Sequence, residues 1–239
     1  VQQGFENAGY DIVNADFVNQ MHELWTANGG GTSQGWGFKW VNEPVYEQTE
    51  GAADQIKAAA DQTDTAIYVI ARNSGEGSDR SSGKGDYLLS DDERANLELL
   101  GKTFDNVVVV LNVGGIIDTK FFDEIDGLDS MLLMSQAGMT GGDALVEVLN
   151  GTVNPSGKLT DTWAKNYSDY PAATTIGDND GDNKQEDYKE GIYVGYRYFD
   201  SFDKKVMFPF GFGLSYTMFE MKCCSINMEE SKIRAEVQV

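Results

Sequence analysis

The stretch AIYVIARNSGEGSDR, residues 66–80, decides how the rest of the chain is interpreted. Its first part, residues 66–71, is an apolar run with the length and β-branched content of a strand buried on both faces. The polar part that follows places Glu76 between two glycines and between Arg72 and Arg80. In open α/β sheets ligands bind beyond the carboxyl ends of the strands, so Glu76 is a candidate catalytic group. A glutamate on a loop is weak evidence by itself, because most such side chains are simply solvated.

Predicted strands and helices alternate along the chain on both sides of this stretch. Ser90 and Glu93 have the spacing of a capping box, which predicts a helix that begins there. The sequence predicts helices at residues 50–60, 90–102 and 141–149, a two-face-buried strand at 106–112 and a further strand at 130–134. Strands and helices that alternate at this spacing form right-handed βαβ units. The predicted fold is therefore α/β, with a mostly parallel sheet sandwiched by helices.

The two ends of the chain differ from this alternating middle. Residues 1–26 predict two short helices separated by a turn. The tyrosines Tyr193, Tyr196 and Tyr198 alternate as along an edge or bent strand. Residues 219–223 and 233–239 alternate like strands of a separate all-β unit.

A third stretch, residues 28–46, is rich in glycine and aromatic residues. It lacks the spacing of a phosphate-binding loop. Trp36 and Trp40 suit either a platform that stacks on a sugar or a loop that covers the protein core, and the sequence leaves both interpretations open.

Composition and charge exclude several classes of partner. A length of 239 residues with 41% hydrophobic residues suits one α/β domain with a sizeable core. The formal net charge of −21 argues against nucleic acid and anionic membranes as partners, because phosphate binding needs a basic face. No apolar run has the length of a membrane span. The first residues lack the features of a signal peptide, which favours a cytoplasmic over a secreted location and otherwise leaves the location open.

The sequence predicts no metal ion and no cofactor. Asp178, Asp180 and Asp182 have the spacing of calcium ligands. An EF-hand loop, however, needs glycine at its sixth position and glutamate at its twelfth, which are Asn183 and Lys189 here. A cofactor-binding doubly wound domain is also disfavoured, since no phosphate-binding glycine motif stands between a strand and a helix.

Several motifs between residues 50 and 220 resemble those of glycoside hydrolase family 3 β-glucosidases. The acid/base loop of that family has the pattern Ser-Gly-Glu-Gly-x-Asp-Arg, followed by Lys-Gly-Asp and by Leu-Ser/Pro-x-Asp-Glu. This chain has SGEGSDR at residues 74–80, KGD at 84–86 and LSDDE at 89–93. Further matches are QAGMTGG at 136–142, NPSGKL at 154–159, EGIYVGYRYFD at 190–200 and FPFGFGLSYT at 208–217.

The resemblance implies a role for each part of the chain. Residues 1–217 correspond to the family's α/β-sandwich domain without its first strand, and residues 218–239 to the start of a fibronectin-III-like domain. Glu76 corresponds to the general acid/base, with Arg80 and Asp79 as supporting residues that order it or tune its pKa. The family's nucleophile is an aspartate on a separate (β/α)8-barrel domain, and Asp169 of this chain aligns with a non-catalytic segment.

The implied function is part of a retaining β-glycosidase that hydrolyses terminal non-reducing β-D-glucosyl residues. The expected partners are a β-linked oligosaccharide or glucoside and the barrel domain of the same enzyme, and a homo-oligomer stays open. The chain alone is expected to be inactive, since a retaining enzyme needs two carboxyl groups about 5–5.5 Å apart. The alternative is a non-catalytic sugar-binding or interaction module on the same scaffold. The sequence does not distinguish glucosides from xylosides or arabinosides, or fix the domain order.

Overall fold

The computed structural model of the protein describes residues 1–27, 33–34, 37–38, 52–72, 80–174 and 190–239. The helices are α1 Gln2–Asn7, α2 Ala15–Ala27, α3 Ala52–Ala60, α4 Asp91–Thr103, α5 Phe121–Glu124, α6 Gly141–Leu149 and α7 Tyr196–Ser201. The strands are β1 Ser33–Gln34, β2 Gly37–Phe38, β3 Thr65–Arg72, β4 Asn106–Val113, β5 Ser130–Leu133, β6 Trp163–Ala164, β7 Val206–Phe208, β8 Lys222–Glu229 and β9 Lys232–Gln238.

A parallel sheet of order β3-β4-β5 forms the centre of the fold. Strand β3 pairs with β4 along its whole length, from Thr65 opposite Asn106 to Arg72 opposite Val113. Strand β5 pairs with the other side of β4. The α/β fold with a parallel sheet and flanking helices is thereby confirmed. All three strands end on the same side of the sheet, which we call the carboxyl edge.

Strand β4 lies between two neighbours and is the most deeply buried of the three. Val107, Val109, Val110 and Leu111 are each at most 1% exposed, which explains the unbroken apolar run in the sequence. Strand β3 differs from the prediction of burial on both faces, which is wrong in part. Ile70 is its one fully buried apolar residue, because β3 has a described neighbour on one side only.

Helix α4 begins at the predicted capping box. The Ser90 hydroxyl accepts a hydrogen bond from the Glu93 amide at 3.1 Å, and the Glu93 carboxylate accepts one from the Ser90 amide at 2.8 Å. Leu97 and Leu100 lie on the buried face of the helix, in contact with the two hydrophobic clusters of the core. The cap and the apolar face together fix where α4 begins and which side meets the sheet.

The two predicted amino-terminal helices are confirmed as α1 and α2. Gly9 ends the first helical segment with a φ of +83°. Helix α1 packs closely on α6, since a Cβ atom on Gly4 would clash with the backbone carbonyl of Gly142. No helix in the described part of the chain is both long and apolar enough to cross a bilayer.

The prediction of a strand through Tyr193, Tyr196 and Tyr198 is wrong. Gly195 has a φ of +59°, and the chain turns there into helix α7. The rings of Tyr198 and Phe202 meet one helical turn apart, with centroids 5.2 Å from each other. Packing at this i, i+4 spacing favours the helix over the alternation that suggested a strand.

The carboxyl-terminal strands are confirmed as an antiparallel hairpin. Strand β8 pairs with β9 from Lys222 opposite Gln238 to Glu229 opposite Lys232. The side chains of both strands are largely exposed. The first predicted strand begins at Lys222, three residues later than its pattern in the sequence suggested.

Candidate active site

The structure describes part of the predicted site. Arg72 is the last residue of β3 at the carboxyl edge, and Arg80 is the first described residue after it. Glu76 and Asp79 lie outside the described residues, in the intervening residues 73–79, which we call the loop segment after the loop that the sequence predicts there. Trp36, Trp40 and the aspartates at 178, 180 and 182 also lie outside them. The structure therefore shows the site through Arg72 and Arg80, the residues at the two ends of the loop segment.

Arg72 is bound into the body of the protein. Its Nη1 and Nη2 atoms donate to the two carboxylate oxygens of Glu93, each at 2.7 Å. Its other donors go to the carbonyl oxygens of Asp86 at 2.7 Å, Ala71 at 2.7 Å and Leu88 at 3.5 Å. These bonds use all five N–H donors of the guanidinium, and the side chain is 8% exposed.

The Arg72–Glu93 pair joins the end of β3 to the start of α4. Glu93 serves twice, because the carboxylate that closes the capping box also neutralises Arg72. Sequence reasoning identified the cap and missed the ion pair. The sequence offered only a general signal, since a buried arginine at the end of a strand needs a partner for its charge, and this does not say which carboxylate it is.

Arg80 holds the other end of the loop segment. Its Nε atom donates to Asp86 Oδ1 at 2.6 Å, and its Nη1 atom donates to the carbonyl oxygen of Ile116 at 2.8 Å. The second oxygen of Asp86 accepts a hydrogen bond from the amide of Ser81 at 2.5 Å. The Nη2 atom of Arg80 is buried and has no partner among the described residues.

Asp86 is placed by a tight turn in the Lys-Gly-Asp motif. Gly85 has a φ of +81°, a conformation that residues with a side chain adopt at a cost. The Gly85 amide donates to the Leu88 carbonyl at 2.9 Å, and the Leu88 amide donates to the Gly83 carbonyl at 3.0 Å. In the sequence this motif matches the family pattern without indicating a role for Asp86.

A group of aromatic side chains packs together next to this turn. Tyr87 is buried and its ring meets Tyr167 edge to face at 5.2 Å, and Tyr170 meets Phe199 at 5.7 Å. Burial raises the pKa of Tyr170 to about 12 and also raises the pKa of Tyr87. Both phenols therefore stay protonated near neutral pH and act in packing rather than in proton transfer.

Asp169 makes a local capping contact. Its Oδ2 atom accepts hydrogen bonds from the amide and from the side-chain nitrogen of Asn166, each at 3.0 Å. These bonds cap the short 3-10 helix at Tyr167–Asp169.

A polar cleft of about 430 Å³ lies at the carboxyl ends of β4 and β5. Its lining includes the amide side chains of Asn7, Asn112 and Gln136. The one carboxylate among its lining residues, Asp143, accepts a hydrogen bond from the Asn7 side chain at 2.9 Å. In the described part of the chain no group of three histidine, cysteine, aspartate or glutamate residues is arranged to hold a metal ion.

Comparison with known proteins gives one consistent result. The family model for the glycosyl hydrolase family 3 C-terminal domain matches residues 10–196. A β-glucosidase from Ruminococcus albus is 45% identical over 188 residues, which are 78% of this chain and 19% of that protein. β-Glucosidase A from Butyrivibrio fibrisolvens is 41% identical, with 75% of this chain and 24% of that protein covered.

A solved structure agrees with these sequence matches. β-Glucosidase 3B from Thermotoga neapolitana, in complex with glucose, superposes with a TM-score of 0.82 and 31% identity. The match covers 99% of this chain and 33% of that one. The chain thus spans about a fifth to a quarter of the curated relatives and a third of this solved neighbour.

Proposed function

Because this chain belongs to the glycosyl hydrolase family 3 C-terminal domain family, we propose that it supplies the general acid/base of a retaining β-glucosidase, with Glu76 in that role. The observation that carries the proposal is the motif SGEGSDR directly after β3, in a chain whose relatives are named β-glucosidases. The substrate is a β-linked oligosaccharide or glucoside, from which a terminal non-reducing β-D-glucosyl residue is removed. Glucose in the Thermotoga neapolitana enzyme supports this choice of sugar.

The reaction needs a second carboxylate, which we place on a barrel domain of the same enzyme. That carboxylate attacks the anomeric carbon while Glu76 gives its proton to the departing glycosidic oxygen. In the second step Glu76 takes a proton from water, the water oxygen attacks the anomeric carbon, and the nucleophile is released. Glu76 thus ends in its starting protonation state.

The charges at the ends of the loop segment are compatible with a general acid. The sequence places Glu76 between two arginines, and cationic neighbours would favour its ionised form. Arg72 is instead neutralised by Glu93, and Arg80 is paired with Asp86. The buried Nη2 donor of Arg80 suits a supporting role next to Glu76, and we assign Asp79 to the same supporting group.

The proposed division of the chain follows the same resemblance. Residues 1–217 form the α/β-sandwich domain, and residues 218–239 open a fibronectin-III-like domain. The exposed antiparallel hairpin β8–β9 supports this division, because its strands pair with each other and not with the parallel sheet.

The test is hydrolysis of β-glucosides by this chain alone, by the chain with a family barrel domain, and by the same mixture with Glu76→Ala. We expect turnover only in the mixture, and a loss of about 10²- to 10⁴-fold on Glu76→Ala with an unactivated glucoside. Azide should partly restore turnover of an activated aryl glucoside by this variant. Glu98→Ala, an exposed glutamate on α4, is the matched control and should change nothing.

Three results would contradict the proposal. Turnover by the chain alone would mean that it contains a nucleophile. Activity of the mixture that survives Glu76→Ala would place the acid/base elsewhere. Stabilisation of the chain by glucose without turnover in any mixture would favour the alternative, a non-catalytic sugar-binding module.

A further inference from the structure

We propose that Asp86 is a positioning residue that holds both ends of the loop segment and so fixes where Glu76 acts. The inference rests on the proposed function of Glu76. Asp86 acts through its contacts with Arg72, Arg80 and Ser81, and not through contact with the substrate.

The first end of the loop segment is held through the backbone of Asp86. The Nε atom of Arg72 donates to the Asp86 carbonyl oxygen at 2.7 Å, while the rest of the guanidinium is occupied by Glu93 and neighbouring carbonyls. Arg72 also belongs to β3 and pairs with Val113 in the sheet. The chain therefore enters the loop segment from a residue that is fixed on both its backbone and its side chain.

The second end is held through the Asp86 side chain. One carboxylate oxygen accepts a hydrogen bond from Arg80 Nε at 2.6 Å, and the other accepts one from the Ser81 amide at 2.5 Å. Arg80 and Asp86 are each 25% exposed, so the pair is partly withdrawn from solvent. Hydrogen bonds of this kind to a charged carboxylate are stronger than neutral ones and fix orientation as well as distance.

Asp86 itself stands on a rigid support. The turn at Gly85 sets its backbone, and the next residue, Tyr87, is buried with its carbonyl oxygen bound to the Asp118 amide at 2.8 Å. Asp91, five residues later, has the opposite surroundings. It pairs with Lys84 at 2.5 Å, and the two side chains are 81% and 64% exposed. Asp91 is therefore a matched control for Asp86.

Loss of the Asp86 carboxylate should act on proton donation more than on binding. A general acid works within hydrogen-bond reach of the atom that it protonates, and small displacements are costly. Without the Asp86 carboxylate, the Arg80 side chain keeps only its bond to the Ile116 carbonyl oxygen among its described hydrogen bonds. A poor leaving group needs the proton from Glu76, whereas an activated aryl leaving group departs without it.

The experiment compares Asp86→Asn, Asp91→Asn and Glu76→Gln in the full-length enzyme that contains this chain. We measure kcat/KM for cellobiose, which needs acid assistance, and for 2,4-dinitrophenyl β-glucoside, which does not. Asp86→Asn should lower kcat/KM about 10- to 100-fold for cellobiose and less than about threefold for the dinitrophenyl glucoside. Glu76→Gln should show the same dependence of kcat/KM on the leaving group more strongly, and Asp91→Asn should have the kcat/KM values of the unaltered enzyme.

A second measurement separates positioning from general destabilisation. Amide hydrogen exchange should rise in peptides that cover residues 73–81 of Asp86→Asn and stay unchanged in peptides from β4 and α4. If Asp86→Asn does not fold, Arg80→Lys carries the same test, because lysine keeps the charge and cannot bind Asp86 and Ile116 in the same geometry.

Each outcome has one meaning. An equal loss for both substrates, no loss, or a rise in exchange throughout α4 and β4 would overturn the role of Asp86. A Glu76→Gln variant with no dependence on the leaving group would overturn the proposed function instead, whatever Asp86→Asn does. The two failures are therefore distinguishable.

Discussion

Strands β4 and β8 have the same length and opposite surroundings. Strand β4 is Asn106–Val113 and β8 is Lys222–Glu229, and both carry apolar side chains. In β4 the residues Val107, Val109 and Val110 have no exposed surface. In the hairpin, Ile226, Met228 and Ile233 are 67%, 79% and 72% exposed.

The comparison shows that a strand pattern and the burial of a strand are separate properties. The register of the hairpin sets Ile226 opposite Ala235 and Met228 opposite Ile233, so these four residues share one face of the two-stranded sheet. The apolar face exists in the hairpin, as the alternation predicts. Strand β4 is buried because it has a strand on each side and helix α4 packed against it. In the described structure β8 and β9 pair only with each other.

The largest expected effect concerns two ion pairs, one in each region. Glu93→Ala leaves Arg72 buried without its carboxylate and removes one of the two hydrogen bonds of the capping box, so we expect a loss of about 3–5 kcal/mol in the free energy of unfolding. Glu229→Ala removes the exposed partner of Arg234 and should cost less than about 1 kcal/mol. Urea denaturation of both variants gives the two values. Equal losses would show that the ion pair at the carboxyl edge is not a buried one.

The second effect compares two isoleucines. Ile70 is fully buried in the core cluster, so Ile70→Ala should destabilise the protein by about 2–5 kcal/mol. Ile233→Ala removes an exposed side chain of the hairpin and should change stability by less than about 0.5 kcal/mol. The denaturation midpoints measure both. A large loss for Ile233→Ala would mean that the hairpin face is covered.

The smallest effect depends on pH and on one tyrosine. Tyr170 has its pKa raised by burial to about 12, so the folded state disfavours its ionisation, whereas an unfolded tyrosine ionises near pH ~10. Its contribution to stability is therefore complete below pH ~10 and is lost as pH rises towards the folded value. Tyr170→Phe should reduce this alkaline loss.

The same variant has a small effect at neutral pH. The Tyr170 hydroxyl accepts a hydrogen bond from the Ala164 amide at 2.9 Å, so Tyr170→Phe should cost about 1 kcal/mol there. Residues 222–239 contain no tyrosine, so the hairpin has no phenol whose ionisation could add to this loss. Thermal unfolding between pH 7 and pH 11 measures both effects, and an alkaline loss that Tyr170→Phe leaves unchanged would contradict the assignment.

Much of the fold was predictable because its signals are local. The run at residues 106–112 predicted a buried strand, because a strand that is covered on both faces has apolar side chains on both of them. Ser90 and Glu93 predicted the start of α4, because a cap depends on residues three positions apart. The strand expected through Tyr193, Tyr196 and Tyr198 was wrong, since three aromatic residues with uneven spacing fit a helix that follows Gly195 as well as they fit a strand.

The site was predictable in its motif and not in its supports. The pattern SGEGSDR identified Glu76, Asp79 and Arg80 as candidates, and their roles remain predictions. The sequence did not reveal that Glu93 neutralises Arg72 or that Asp86 binds Arg80 and Ser81. Pairing of charged side chains depends on which turns lie side by side, and several acidic residues between 86 and 93 were equally available in the sequence.

Local patterns in the sequence establish the helices and strands, their order along the chain and the family to which the motifs belong. Capping, apolar periodicity and glycine turns act over a few residues, so they can be recognised without a structure. Only the tertiary structure decided which apolar faces are covered and which charges meet. Arg80 and Ile116 are joined across 36 positions, and Arg72 and Glu93 across 21. Such contacts arise when the parallel strands align at one edge, and alignment is a property of the folded chain.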